Sequence, residues 1–406
     1  MRNYIFSPAD ILLPKKDHEK WSVIACDQFT SNEAYWKETD HTVGTAPSTL
    51  RLIYPEVYLG KTDAQAVTAS INDTMQDYLK KGIFNEYPNA FIYVERIQSD
   101  GKKRSGLVGA VDLDEYDYHE GSCSRVRATE KTVLERIPPR VKIRENACLE
   151  LPHILMLMDD SERKILEPLA QMAKEGSMQQ LYDFDLMQGG GHLSGWLVPG
   201  ELNESLAQSI GALGEKHGGI TLAVGDGNHS LATAKACRSA APTEQNRYAL
   251  CELVNIHSEA LEFEPIYRTV ENVDPDALLE SFTSYLERED IQNPSNAEQQ
   301  ILFVTQKKKV TVCAKRPPHA LAVGTVQLFL DDYLRSCPDA VLDYIHGEDE
   351  VEAVVAKPNA CGFLYGCMGK SELFDAVEKE GVLPRKTFSM GSARDKRYYT
   401  EVRKIK

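Results

Sequence analysis

The 406-residue chain has no Cys-x-x-Cys pair among its nine cysteines and no His-Glu-x-x-His pattern among its ten histidines. It also has no uninterrupted apolar stretch close to the length of a bilayer. An odd, scattered cysteine set, with no charged start followed by a long apolar core, argues against a disulfide scaffold and predicts a reduced, cytoplasmic chain. Without ligand spacings a structural zinc site is not expected, and without apolar runs a membrane-spanning helix is excluded. Positive charge is in deficit: 46 Lys and Arg against 61 Asp and Glu give a net charge of -15. A nucleic acid would meet a mostly repulsive surface. The partner expected is a small anionic metabolite or nucleotide, with no nucleic acid and no membrane.

What is present is a soluble globular composition, 42% apolar and 26% charged. The length exceeds a usual single core, so two or three tightly packed lobes are expected. Their bounds read as 1–120, 121–272 and 273–406. Phe91–Ile97 and Arg104–Val111 alternate around Ser99-Asp100-Gly101 as a hairpin, whereas Ala64–Lys81 keeps a helical face. The fold class is therefore α+β or mixed α/β, with mixed sheets and surrounding helices. Trp21–Ala25 and the long apolar run Leu149–Met158 read as strands, and Ser161–Glu175 as a helix. Pro138-Pro139 should end any helix reaching them. Gly189-Gly190-Gly191 lies between two strand candidates and reads as a hairpin turn.

Thr221 to Ala234 packs an apolar run, a polar turn and a small-residue helix into fourteen residues. Ile220–Val224 reads as a buried strand, Asp226-Gly227 as the turn, and Ser230 as the N-cap of a helix reaching about Ala240. First-turn amides are unpaired donors and the helix dipole favours an anion. Asp226 and His229 flank that spot. The plainer alternative is an ordinary strand-turn-helix in which Asp and Ser only cap.

The box Asp226-Gly227-Asn228-His229-Ser230 resembles the Asp-Gly-His-His-Arg box that opens a helix in the DUF1015 family of uncharacterised proteins. Cys26-Asp27-Gln28-Phe29-Thr30-Ser31, Arg127-Ala128-Thr129-Glu130, Arg136-Ile137-Pro138-Pro139-Arg140, Tyr344-Ile345-His346-Gly347 and Leu383 to Gly391 resemble further stretches of that family. A shorter resemblance links the box to the ParB-like fold, whose members include free-serine kinases and sulfiredoxin. It implies a ParB-like central element and the handling of nucleotide phosphates. Here Asn228 stands where the first His would be and Ser230 where the Arg would be, so the box itself carries no guanidinium.

Positive charge gathers in two segments. Gly121–Cys148 holds seven Lys or Arg against three acids, and Leu383–Lys406 eight against two. Removing those fifteen bases and five acids from 46 and 61 leaves 31 against 56, a balance of -25 elsewhere. Phosphoryl transfer needs cations around the moving phosphate, a metal or equivalent, and a base at the acceptor hydroxyl. Arg127, Arg140 and Arg144 from the first island, with Arg385 and Lys386 from the second, are the expected phosphate holders, helped by Thr129, Gly227, Asn228 and Ser230. Asp226, His229 and Glu130 are the expected catalytic residues, His229 or Glu130 serving as base. The plainer reading of Glu130 is an ion pair with a neighbouring Arg. Magnesium carried by ATP or ADP is the expected cofactor, Asp226 and Glu130 being the carboxylates nominated to reach it.

The expected function is thus a kinase-like phosphotransferase, or a hydrolase, acting on a nucleotide or phosphorylated metabolite. The alternative is a non-catalytic sensor using the same anionic pocket. A third reading makes Cys26 a nucleophile with His229 as base, although a buried thiol filling space is the commoner use. Gly366-Cys367-Met368-Gly369-Lys370-Ser371 ends like a P-loop, but Leu364 stands where that motif requires its first Gly.

Overall fold

The alternating segments Ile92–Ile97 and Lys103–Asp112 pair as an antiparallel hairpin at the heart of a large mixed sheet. This is seen in a computed structural model that describes residues 4–119 and 121–406. Two compact units divide the chain. The first comprises Met1–Ala128, Thr132–Leu261 and Gly391–Lys406, the second Thr129–Lys131 and Glu262–Met390. The protein is mixed α/β.

In the first unit the hairpin continues into Tyr248–Asn255, Leu155–Met158, Leu222–Asp226 and Val126–Ala128, side by side in that order. Tyr248–Asn255 runs parallel to Leu155–Met158, and Leu222–Asp226 parallel to Val126–Ala128, while those two pairs meet antiparallel. Continuous apolar runs suit these central strands because both sheet faces are covered. Leu231 and Ala234 of the helix Asn228–Ala240 sink into the same core as Met156, Val224 and Leu253. Burying Leu231 alone contributes about 2 kcal/mol. A four-stranded sheet places the near-terminal strand Val402–Lys404 between Ala9–Pro14 and Leu149–Glu150. The C-terminal segment is thereby an interior strand of the first unit.

The second unit is an antiparallel sheet ordered Lys309–Ala314, Gln299–Thr305, Ala360–Tyr365, Phe263–Glu271 and Val341–His346. Phe282, Phe329, Phe303 and Phe363 pack edge-on or tilted in its core.

Several local expectations change in the fold. Pro138 and Pro139 do not end a helix; they sit in the first turn of Ile137–Arg144, where the amides they lack have no intrahelical partner. Leu149–Met158 is broken at Pro152 into the strands Leu149–Glu150 and Leu155–Met158. The helix expected over Ser161–Glu175 covers Leu166–Lys174. Trp21 ends a short helix, and only the bridge Ile24 to Arg397 remains of the strand expected there. Ser230 is not the N-cap, because Gly227 takes that position and the helix begins at Asn228.

Candidate functional site

The register between Leu222–Asp226 and Leu155–Met158 slips by one residue, so Val224 faces Met156 while Asp226 faces Leu155. A bulge of this kind re-aims the end of a strand. Asp226 Oδ1 accepts the Gly227 amide at 2.9 Å and Oδ2 lies 3.3 Å from Lys396 Nζ. Gly227 turns the chain with φ of 84°, and a Cβ there would stand 3.1 Å from Ile154 Cα. Glycine is required on both counts. No side chain caps the helix that follows.

Four other segments meet this corner. Ala25 N donates to Lys396 O at 2.8 Å and Tyr398 N to Val23 O at 3.0 Å, which ties the chain entering Asp27 to the chain carrying Lys396. Ser230 Oγ and His153 Nε2 lie 3.1 Å apart. His153 meets the Tyr398 ring edge-on, with centroids 4.9 Å apart. Glu56 N donates to Cys26 O at 2.8 Å, and Arg140 pairs with the Glu56 carboxylate. Asp226 through Ser230 keep partial exposure, so the corner is open to solvent.

The electrostatics follow from this crowding. Asp27 keeps an exposed edge, yet lost solvent pushes its carboxyl up. His153, the Gln28 amide, Lys396 and Arg140 together outweigh that and hold it below the usual carboxylate range. Burial, aided by the Asp27 charge, pushes the Cys26 thiol up to about 12. It is a thiol rather than a thiolate at neutral pH, which counts against the nucleophile reading. His229 Nε2 accepts the Val133 amide at 3.2 Å, so that nitrogen is unprotonated and the ring carries its proton on Nδ1 when neutral. His153 Nδ1 and Asn228 Oδ1 are shielded from solvent and have no hydrogen-bond partner. Orphaned polar atoms of this kind are uncommon and call for a reason.

The remaining expected residues fall into distinct settings. Arg127 is buried, with Nε donating to Ser124 O at 3.0 Å. Arg144 donates to Glu150 Oε2 at 2.5 Å, and Glu150 Oε1 also receives Arg403 Nε at 2.6 Å. Thr129, Glu130, Arg385 and Lys386 belong to the second unit. There Leu383 N donates to Thr129 O at 2.8 Å and Thr387 N to Glu130 Oε1 at 3.1 Å. Arg385 and Lys386 lie over the Tyr344 ring at 5.0 and 4.9 Å.

The sequence reading named Asp27 only beside the thiol and did not single out His153, Lys396, Arg268 or Tyr344 for chemistry. Lys396 lies inside the second basic island, and Tyr344 inside a family-like stretch, so a signal existed for both. His153 follows Pro152 in an apolar run and had none. A surface cavity of about 360 Å³ in the first unit is lined by Glu95, Lys103, Glu167, Gln171, Lys174 and Trp196, none of them candidate residues.

A family model described as "Protein of unknown function (DUF1015)" matches residues 6–333. No curated protein matches the chain. Among solved structures, a conserved hypothetical protein from Pyrococcus furiosus aligns with TM-score 0.35 and 12% identity, covering 70% of this chain and 90% of that one. A free serine kinase in complex with AMP aligns with TM-score 0.38 and 12% identity, covering 70% and 87%. SbnI with C-terminal truncation from Staphylococcus aureus gives 0.36 and 11%, covering 70% and 82%. At that level neither the fold nor the chemistry of this chain follows from theirs. Among the described residues no helix is long and apolar enough to cross a membrane.

Proposed function

The chain belongs to the DUF1015 family, and from that premise we propose that it is a phosphotransferase acting on a small hydroxyl-bearing acceptor. The reading rests on the Asp226 corner. Asp226 pairs with the Lys396 ammonium, and Asp27 lies within the field of that ammonium and of His153, beside an uncapped helix N-terminus with two orphaned polar atoms close by. The Asp226 carboxylate would hold a magnesium ion delivered with ATP or ADP, which would offset the phosphate charge. The helix amides and Lys396 meet the remaining negative charge.

In this scheme the acceptor oxygen attacks the terminal phosphorus, the bond to the bridging oxygen breaks, and the shortened nucleotide leaves. The acceptor proton passes to Asp27, whose carboxyl is held ionised. His229, engaged by the Val133 amide, positions the helix start. Ser230 and His153 orient the acceptor. A second reading, a non-catalytic sensor of a small anionic ligand, draws on the same engaged Nε2, since it occupies the lone pair of the base expected from sequence.

Thermal-shift titration with magnesium and ATP, ADP or AMP is expected to give saturable stabilisation that Asp226→Asn and Lys396→Ala weaken. In a panel of small hydroxyl acceptors, Asp27→Asn is expected to lower turnover by about a thousandfold while nucleotide binding persists. Binding with no turnover for any acceptor favours the sensor. No stabilisation by any nucleotide ends the phosphotransferase reading.

A further inference from the structure

The second unit contains a cluster of three cations for which the described residues show no ion pair, although the Glu130 carboxylate holds the neighbouring Thr387 amide. Arg268 and Tyr344 face each other across antiparallel strands. The Arg268 guanidinium, the Arg385 guanidinium and the Lys386 ammonium lie 4.9, 5.0 and 4.9 Å from the centre of the Tyr344 ring. Among the described residues none of the three has an acidic partner. Arg268 is fully buried and uses neutral acceptors: Gln327 Oε1 at 3.1 Å, Ile266 O at 2.5 Å, Tyr365 Oη at 3.3 Å, Lys386 O at 2.8 Å and Arg385 O at 2.9 Å. Arginine cannot shed its proton to escape burial, so this charge is permanent.

The turn above it is over-determined. Arg268 grips two consecutive carbonyls, Thr387 Oγ1 donates to Pro384 O at 2.6 Å, and the Thr387 amide is held by Glu130 Oε1. Lys386 is forced to φ of 53°, a left-handed conformation that disfavours a lysine. Strain that the surroundings impose, at a place where exposed cations are aimed in one direction, is a mark of function. Arg385 spends only Nε, on the Tyr344 phenol oxygen at 2.8 Å, which leaves both terminal nitrogens for a ligand. Lys386 offers a further set of donors.

We propose that the Pro384–Thr387 turn binds a phosphate-class oxyanion, held by Arg385 and Lys386, with buried Arg268 and Tyr344 as positioning residues. Two cations plus the background charge of Arg268 favour a dianion over a carboxylate, and the guanidinium edge with a movable ammonium fits a tetrahedral group. The phosphate source is either the free inorganic ion or the phosphoryl end of a small metabolite. The residues proposed to hold it all belong to the second unit.

The test is calorimetric titration of the full chain with inorganic phosphate, and separately with a phosphomonoester, in metal-free buffer with ionic strength matched by chloride. At least one is expected to bind saturably, and the tighter of the two identifies the source. Arg385→Ala and Lys386→Ala are each expected to weaken binding tenfold or more, and Tyr344→Phe about threefold. Lys309→Ala, which removes an exposed cation of the same unit paired with Glu352, should leave it within twofold. Lys386→Gly is expected to raise the melting temperature while lowering affinity, because glycine relieves the backbone and removes the donor. Non-saturable binding of both probes, or affinity unchanged in the Arg385→Ala/Lys386→Ala double variant, overturns the site. So does affinity lost in Asp226→Asn but kept in the double variant.

Discussion

Two sets of cations, one in each unit, are used in opposite ways. In the first unit Arg140 meets Glu56, Arg144 and Arg403 meet Glu150, and Lys396 meets Asp226. In the second unit Arg268, Arg385 and Lys386 meet a tyrosine ring and backbone or side-chain oxygens that carry no charge. A basic residue paired inside the fold is a structural part, whereas one held in place without a counter-charge is available to an incoming anion. The turns at the two candidate sites also differ. Gly227 adopts the left-handed conformation as a glycine can, and Lys386 adopts it against its preference. The same contrast extends to buried groups lacking an opposite charge. Glu401 in the first unit accepts the Tyr182 hydroxyl at 2.6 Å and a backbone amide, and burial still pushes its carboxyl up to about 7, so it can go neutral. Arg268 in the second has no such escape.

The sharpest way to break the comparison is to remove a counter-charge. Glu150→Ala leaves the buried Arg403 guanidinium without its anion, and a loss of about 3–5 kcal/mol in urea unfolding is expected. Arg385→Ala should change stability by less than about 0.5 kcal/mol. Equal losses in the two variants would dissolve the distinction between paired and available cations.

A smaller effect comes from Glu401. Its folded pKa lies above the ordinary 4.5, so the folded state holds a proton the unfolded state has released. Its contribution is fully favourable below pH 4.5, declines as pH rises towards about 7, and is flat beyond. The total is about 3 kcal/mol. Glu401→Gln should flatten that part of the stability profile, with the largest gain over the parent chain at pH 8. A profile identical in both proteins would mean that Glu401 is ionised and paired. The smallest effect concerns the turns: Gly227→Ala should cost about 1–2 kcal/mol in thermal unfolding, from a disfavoured φ and a crowded Cβ. It should also weaken nucleotide stabilisation by displacing Asp226.

Much of the framework was readable from residue order. The hairpin around Ser99-Asp100-Gly101, the helix Ala64–Lys80, the strand before Asp226 and the helix after it follow from spacing that repeats within a few residues. Local rules failed where a residue had two legitimate uses. Proline both ends a helix and opens one, and Pro138-Pro139 do the second. Serine both caps and bonds elsewhere, and Ser230 turns to His153 because Asp226 and Gly227 already shape the helix entrance.

The sequence alone determined the mixed α/β class, the Asp226 turn and the concentration of positive charge in two segments, since each depends on periodicity, turn chemistry or composition. Only the tertiary structure decided which charges remain available. Arg144 and Arg385 are the same side chain in two basic stretches, but Glu150 reaches one and Tyr344 the other. The physical reason is that a charge's role is set by what lies within a few ångströms of it, and composition does not say which neighbour that will be: Glu150 comes from six residues away and Tyr344 from 41.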